Sequence, residues 1–255
     1  MLTKSETVSQ GKASMLTIVE TDLISASDSG EMKIVLSLGG SVLMRDLNAE
    51  RIYRFAKVIE EIAKDNKVFV VVGGGKIARE YIKTAKQLGA DNTFCDYIGI
   101  GVTRLNAMLL CSALSDAPKV VPEDFREAYE LSLRHNVVVM GGTFPGHTTD
   151  ATSALLAEFV KADLLLNATS VNGIYSDDPM KNPNAKRFDR IKAEDLLKIV
   201  LNLSAEAGGN FPLDILSIKI IQRSKIRTIV FLGEPENIRR VVEGDFEGIG
   251  TLIEP

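Results

Sequence analysis

Three glycine-rich turns, each after a short apolar run, are the segments of this sequence best suited to bind an anion. They are Gly39-Gly40-Ser41, Gly73-Gly74-Gly75 and residues 141–150, which read GGTFPGHTTD. Glycine lets backbone N–H groups approach a phosphate closely, and a following helix adds the positive end of its dipole. Two glycines are also typical of a plain tight turn. Three in a row cost more backbone entropy than a turn requires, which favours a phosphate site.

Cations lie close to these turns. Lys76 and Arg79 fall on the first turn of the helix predicted after Gly75, and their i, i+3 spacing lets both face one ligand. Lys219 lies in the apolar stretch 213–221 and needs either an anion partner or an exit to solvent. The spacing of a P-loop, Gly-x-x-x-x-Gly-Lys-Ser/Thr, is absent. The pattern predicts a different kind of phosphate site.

The third turn leads into a helix and leaves more than one interpretation open. Thr148 or Thr149 can cap that helix, and the helix dipole stabilises the Asp150 carboxylate at its start. The threonines and the aspartate can therefore either cap the helix or bind a ligand. His147 is more typical of a surface or packing histidine than of a catalytic base. Cys95 and Cys111 are predicted to be small packing residues.

Composition excludes several classes of protein. The chain has 255 residues and a formal net charge of -4, which disfavours non-specific binding to nucleic acid or to anionic membranes. Two cysteines and two histidines are too few for a disulfide framework or a structural zinc site. No apolar run approaches the roughly 20 residues that span a bilayer. We expect a cytoplasmic enzyme without a nucleic-acid or membrane partner.

Short apolar strands alternate with helical segments from residue 33 onwards. Strands are predicted at residues 33–38, 67–72, 137–140, 163–168, 228–232 and 250–253, and helices at 49–64, 76–88, 91–115, 149–161, 193–201, 212–224 and 235–242. Uniformly apolar strands indicate an α/β fold with a mainly parallel sheet covered on both faces, which binds ligands at the carboxyl ends of its strands. Residues 171–185 are predicted to be a loop. Residues 1–31 are predicted to be a flexible extension, and Met32 is an alternative start.

Five segments, in this order, resemble the amino acid kinase superfamily, and within it the archaeal type of UMP kinase. They are the strand ending in GGS, VVGGGKIAR, DYIGIGVTRLNAMLL, MGGTFPGHTTDA and TSVNGIYSDDP. The resemblance covers residues 32–255 and implies an open three-layer αβα sandwich, with an acceptor-binding part at about 32–160 and an ATP-binding part at about 161–255. It also implies a homohexamer built from dimers, and direct in-line transfer of the γ-phosphoryl group of ATP to UMP in pyrimidine nucleotide biosynthesis.

The resemblance also implies roles for individual residues. The UMP-binding positions are Gly74, Asp96, Thr143, Phe144, Pro145, Gly146, His147, Thr148 and Thr149. The ATP-binding positions are Gly39, Gly40, Ser41, Gly75, Arg79, Thr169, Ser170, Tyr175 and Asp178. The predicted catalytic residues are Lys219, Arg79, Asp150 and Lys76. Mg²⁺ is expected to arrive with ATP and to be held mainly by its phosphates, without a metal site made by the protein.

Two positions depart from the family pattern. Many superfamily members have a lysine on the first strand where this chain has Ser37, and Lys76 is predicted to compensate for the absent cation. Asn172 replaces the usual aspartate before Gly173, and we expect a small effect because asparagine tolerates the same turn. Two alternatives remain open: a kinase of the same superfamily for another small acceptor, and a nucleotide- or oxyanion-binding protein without turnover.

Overall fold

The computed structural model describes residues 30–179, 181–205 and 211–255, so most of the predicted extension at 1–31 lies outside the described residues. The strands are β1 (Met32–Leu38), β2 (Asn66–Val72), β3 (Val137–Met140), β4 (Leu164–Thr169), β5 (Ile174–Tyr175), β6 (Arg187–Phe188), β7 (Arg190–Lys192), β8 (Thr228–Leu232) and β9 (Gly250–Glu254). The helices are α1 (Gly40–Leu43), α2 (Ala49–Ile62), α3 (Gly75–Gln87), α4 (Asn92–Ala113), α5 (Phe125–Ser132), α6 (Thr149–Val160), α7 (Ala193–Ala205), α8 (Ile215–Ser224) and α9 (Pro235–Val242).

Seven strands form the central sheet in the order β3-β2-β1-β4-β8-β9-β7. The pairs are parallel except for β8 with β9, while β5 and β6 form a separate antiparallel ribbon. Because β1, β2, β3, β4 and β8 run in the same direction, their carboxyl ends meet at one edge of the sheet. The three glycine-rich turns follow β1, β2 and β3 at this edge, as the sequence predicts.

Each face of the sheet carries its own hydrophobic layer. Ile34, Leu36 and Leu38 of β1 pack into the layer that contains α2, α4 and α9, whereas Val35 packs into the layer of α6, α7 and α8. Side chains alternate along a strand, so Ser37 points to the same side as Val35, towards α6. This arrangement confirms the predicted three-layer αβα sandwich.

The structure contains short elements that the sequence pattern did not predict. Helix α1 has four residues and β5, β6 and β7 have two or three, which is too short to produce a hydrophobic period. Strand β5 lies inside the segment predicted to be a loop. Helix α5 was also missed, although Asp124 caps it by accepting a hydrogen bond from the Glu127 N–H at 2.8 Å. Helix α8 begins at Ile215 rather than at residue 212, because Asp214 is its N-cap.

Helix α4 is the longest helix in the described part of the chain and is largely apolar. By length and composition it would suit a membrane span, which the sequence was expected to lack. One side of it, including Ala107, Leu110 and Cys111, is buried in the core next to α2, so it packs as a core helix. Burial raises the pKa of the Cys111 thiol to about 11, and both Cys95 and Cys111 are buried and unpaired, which confirms their predicted packing role.

Candidate active site

A cavity of about 450 Å³ opens at the carboxyl edge of the sheet. Its walls come from the turns after β1 and β4, the starts of α3 and α6, and the chain before α8. The lining residues are Gly39, Ser41, Arg79, Thr149, Asp150, Asn167, Ala168, Thr169, Ser170, Val171, Gly173, Tyr175, Asp177, Asp178, Pro179, Phe211 and Pro212. The lining brings together nine predicted site residues from distant parts of the chain.

The first two glycine turns pack directly against each other. A Cβ atom at Gly40 would lie 2.1 Å from the Gly75 nitrogen, and one at Gly73 would lie 2.5 Å from the Gly40 nitrogen. Gly75 has a φ of +64°, a left-handed conformation that glycine adopts without strain. The glycines therefore allow two turns to meet backbone to backbone, so that α1 and α3 both begin beside the cavity.

Helix α4 supports these turns with two polar side chains that the sequence analysis missed. The Asn106 amide donates to the carbonyls of Gly73 at 2.9 Å and Gly74 at 3.3 Å. The Thr103 hydroxyl accepts from the Gly142 N–H at 2.7 Å and donates to the Ile100 carbonyl at 2.7 Å. Both side chains are buried, and they fix the second and third turns to one helix. Their signal in the sequence was a polar residue on the buried face of an otherwise apolar helix.

Asp150 forms the polar centre of the cavity. Its Oδ1 accepts a hydrogen bond from the Ser37 hydroxyl at 3.0 Å and another from the Asn167 amide at 2.8 Å. Protein packs around the carboxyl while part of the side chain faces the cavity. The pKa of Asp150 is raised to about 6, because burial and the negative charge of Asp214 raise it by more than the hydrogen bonds from Ser37 and Asn167 lower it. Ser37 thus uses its hydroxyl to hold Asp150.

Two residues that join α6 to α8 were absent from the predicted site. The Asn167 amide also donates to the Pro212 carbonyl at 3.2 Å. Asp214 accepts from the Ser217 N–H at 2.6 Å and from the Thr148 hydroxyl. Asn167 interrupts a run of apolar residues in β4, which was the available signal. The starts of both helices are therefore tied together behind the cavity.

The loop before α6 lies beside the cavity, and most of its predicted UMP-binding residues do not line it. Thr149 does, whereas Phe144 and His147 are exposed and their rings lie 6.2 Å apart. Thr148 caps α6 by accepting from the Ala151 N–H at 3.0 Å, which confirms one of the two predicted caps. Asp96 of α4 accepts from the Gly146 N–H at 2.8 Å. The two sequence segments predicted to hold UMP are thus joined.

The three predicted catalytic cations occupy different surroundings. Arg79 lines the cavity and, like Lys219, forms no ion pair with any carboxylate in the described part of the chain. Lys219 is exposed on α8 and is not among the lining residues. Lys76 has a 73% exposed side chain and pairs with Glu80 at 3.6 Å. Of the three, only Arg79 reaches the cavity in this conformation.

The predicted ATP-binding positions Thr169, Ser170, Tyr175 and Asp178 all lie on the cavity wall. The Tyr175 hydroxyl donates to Asn172 Oδ1 at 2.5 Å, so the unusual asparagine holds the tyrosine in place. This wall continues from the end of β4 at Thr169.

Comparison with known proteins identifies the family to which this arrangement belongs. The sequence pattern of the amino acid kinase family matches residues 32–232. The chain belongs to the amino acid kinase family. A uridylate kinase from Archaeoglobus fulgidus is 61% identical to this amino acid kinase over 222 residues, which are 87% of this chain and 100% of that relative. A uridylate kinase from Thermococcus gammatolerans is 49% identical over 227 residues, 88% of this chain and 100% of the relative.

Solved structures agree with this assignment. The crystal structure of the Archaeoglobus fulgidus uridylate kinase matches this amino acid kinase with a TM-score of 0.79 and 59% identity, covering 87% of this chain and 100% of that one. The structure of UMP kinase from Ureaplasma parvum matches with a TM-score of 0.74 and 26% identity, covering 88% and 99%. These matches confirm the predicted family and fold.

Proposed function

We propose that this amino acid kinase transfers the γ-phosphoryl group of ATP to UMP, giving ADP and UDP in pyrimidine nucleotide biosynthesis. The observation that carries the proposal is the 61% identity to a uridylate kinase over the whole length of that relative. The cavity supports it independently, because glycine turns and a helix start beside Arg79 suit a polyphosphate better than an uncharged ligand.

The donor nucleotide is proposed to lie along the wall formed by Thr169, Ser170, Tyr175 and Asp178, with its phosphates at the turns of Gly39-Gly40-Ser41 and Gly75. Mg²⁺ suits this arrangement when it is held by phosphate oxygens and water, since the described residues contain no cluster of three His, Cys, Asp or Glu side chains that could hold a metal. When bound, Mg²⁺ neutralises part of the phosphate charge. The protein supplies backbone N–H groups and Arg79.

The acceptor is proposed to bind on the α4 side, between Gly74, Asp96 and residues 143–149. The link from Asp96 to the Gly146 N–H shows that this carboxylate can orient the loop, and a ribose hydroxyl can share the same acceptor oxygens. Phe144 and His147 are exposed beside it and are available to cover a bound base. This geometry supports a nucleotide acceptor better than a small carbamate or acyl amino acid.

Phosphoryl transfer needs positioning and charge stabilisation more than covalent chemistry. Arg79 is proposed to stabilise the transferring group from the cavity wall, and Lys219 is proposed to reach it from α8. Asp150 is proposed to organise the centre of the site through Ser37 and Asn167. Lys76 can compensate for the lysine absent at position 37 only if its exposed side chain leaves Glu80. Breaking this surface ion pair costs no more than about 1 kcal/mol of free energy.

The exposed face of α4 supports the proposed assembly into a homohexamer built from three dimers. Phe94, Tyr97, Leu105 and Met108 form one stripe on this face, and Phe94 is 59% and Leu105 62% exposed. Four such side chains supply roughly half of the about 800 Å² that each partner contributes to a stable interface. Asn106 lies on the opposite, buried face. A second copy of the chain is the occupant we propose.

A cytoplasmic location is proposed from the two unpaired cysteines, which suit a reducing compartment. The test of function is release of ADP with UMP, CMP, AMP and dTMP as acceptors. We expect kcat/KM for UMP to exceed that for the others by at least about tenfold, because losing one matched hydrogen bond costs about 1.4 kcal/mol or more. Equal use of AMP would indicate another small-molecule kinase, and transfer at background would indicate a binding protein.

A further inference from the structure

The part of the chain between β4 and α7 forms one wall of the cavity, and its described residues contain only three very short strands, β5, β6 and β7. Seven of residues 170–179 line the cavity. This segment contains β5, which pairs with β6 to form the two-stranded ribbon. Each strand of this ribbon has two residues. A two-stranded ribbon is marginally stable by itself, so its position must be set by its attachment to the main sheet.

A single buried hydroxyl makes this attachment on both strands of the ribbon. Thr251 lies in β9 and has no solvent exposure. Its Oγ1 accepts a hydrogen bond from the Ile174 N–H at 2.8 Å and donates to the Phe188 carbonyl at 2.5 Å. Ile174 and Phe188 are direct partners in the ribbon. The hydroxyl therefore joins the two strands to each other and to the last strand of the sheet.

The backbone of the cavity wall passes directly over this hydroxyl. Gly173 lines the cavity and has a φ of +128°, and a Cβ atom there would lie 2.4 Å from Thr251 Oγ1. Thr251 itself is not among the residues that line the cavity. The hydrogen bond from Ile174 lies one residue along the chain from Gly173 and two from Asn172, which holds the Tyr175 hydroxyl. The hydroxyl can therefore act on a ligand only through this loop.

We infer that Thr251 is a positioning residue for the donor nucleotide, acting through residues 172–175. The inference rests on the proposed binding of ATP along this wall. In the described part of the chain, hydrogen bonds on the acceptor side link α4 to the second glycine turn and to the loop before α6, and none of these bonds involves β9. Loss of the hydroxyl should therefore weaken binding of ATP and leave binding of UMP unchanged, a division that general loosening of the fold would not produce.

The experiment compares Thr251→Val, which keeps the shape and removes the hydroxyl, with Thr251→Ser, which keeps the hydroxyl. Thr228→Val is the matched control, since Thr228 is equally buried in the neighbouring strand and its hydroxyl donates to the Ile226 carbonyl at 3.1 Å, away from the cavity wall. Thr251→Val should raise KM for ATP about tenfold, with KM for UMP within about twofold. Thr251→Ser and Thr228→Val should both behave like the parent protein.

An unchanged KM for ATP in Thr251→Val, or an equal rise in Thr228→Val, would overturn the inference. If Thr251→Val does not fold, Thr251→Ala gives the same comparison. Hydrogen exchange of the Ile174 amide in the parent protein needs no variant: ATP should slow it, and an unchanged rate would count against the proposed role. If the parent protein fails to phosphorylate UMP, the proposed function fails separately, and calorimetric titration of parent and variants with ATP still decides the role of Thr251.

Discussion

Replacing Asp150 by asparagine should stabilise the protein at neutral pH. The pKa of this carboxyl is raised from 3.8 to about 6, mainly by burial. Its ionisation at neutral pH therefore lowers the free energy of unfolding. Asparagine removes the charge and retains an oxygen that can accept from the Ser37 hydroxyl and the Asn167 amide. The polar centre of the cavity should therefore keep its geometry while losing its repulsion from Asp214.

The size and sign of the effect follow from the two pKa values. Below pH 4 the carboxyl is protonated in both folded and unfolded chains and contributes no pH dependence. Between pH 4 and 6 the folded protein binds the proton more tightly, so the free energy of unfolding falls as pH rises, and the full loss is present above pH 6. A rise from 3.8 to about 6 corresponds to at most about 3 kcal/mol, and the partial exposure of the side chain to solvent reduces this figure.

The assay is urea unfolding without nucleotide, at one protein concentration, at several pH values from 4 to 8. The free energy of unfolding of Asp150→Asn should exceed that of the parent protein above pH 6 and converge with it near pH 4. Asp91→Asn is the control, because Asp91 also stands at the start of a helix but is exposed. Parallel curves for the parent protein and Asp150→Asn across the whole range would refute the reasoning.

Three further predictions concern the cations, the assembly and the N-terminal segment. Lys219→Ala should lower kcat by about 10² to 10³-fold with a small change in KM for UMP. Lys76→Ala should also lower kcat, and adding Ser37→Lys should restore part of it. A variant that turns over like the parent protein would show that its lysine does not have the assigned role. Leu105→Glu should shift sedimentation towards smaller species, because it places a charge in the stripe on α4. A chain beginning at Met32 should retain its melting temperature and turnover, and a large loss of either would show that residues 1–31 pack on the core.

The sequence was sufficient to predict six of the seven strands of the central sheet, because these strands are largely apolar and most are separated by helical segments, whereas the three-residue β7 has no such signal. The same reasoning located the three glycine turns at one edge, since parallel strands end together. It could not predict β5 or β6, which are held to the main sheet by hydrogen bonds to Thr251, a residue 77 positions away from Ile174. Contacts over such separations leave no local period in a single sequence.

The candidate site was predicted unevenly for a similar physical reason. Glycines and cations beside a turn carry a local signal, so Gly39, Ser41 and Arg79 could be singled out. Asn106 and Asn167 bind backbone carbonyls on other elements, and their importance appears only when the chain is folded. Lys76 is predicted from its place at the start of α3 and Lys219 from the family resemblance. Whether either side chain reaches a bound phosphate depends on its orientation, which spacing does not determine.

The most direct test of the central claim is to follow a label on the γ-phosphate of ATP in the presence of UMP and Mg²⁺. Direct transfer to the acceptor predicts that the label appears in UDP in amounts equal to the ADP formed, with none retained on the protein. Label released as inorganic phosphate, or UDP formation no faster than without protein, would contradict the account.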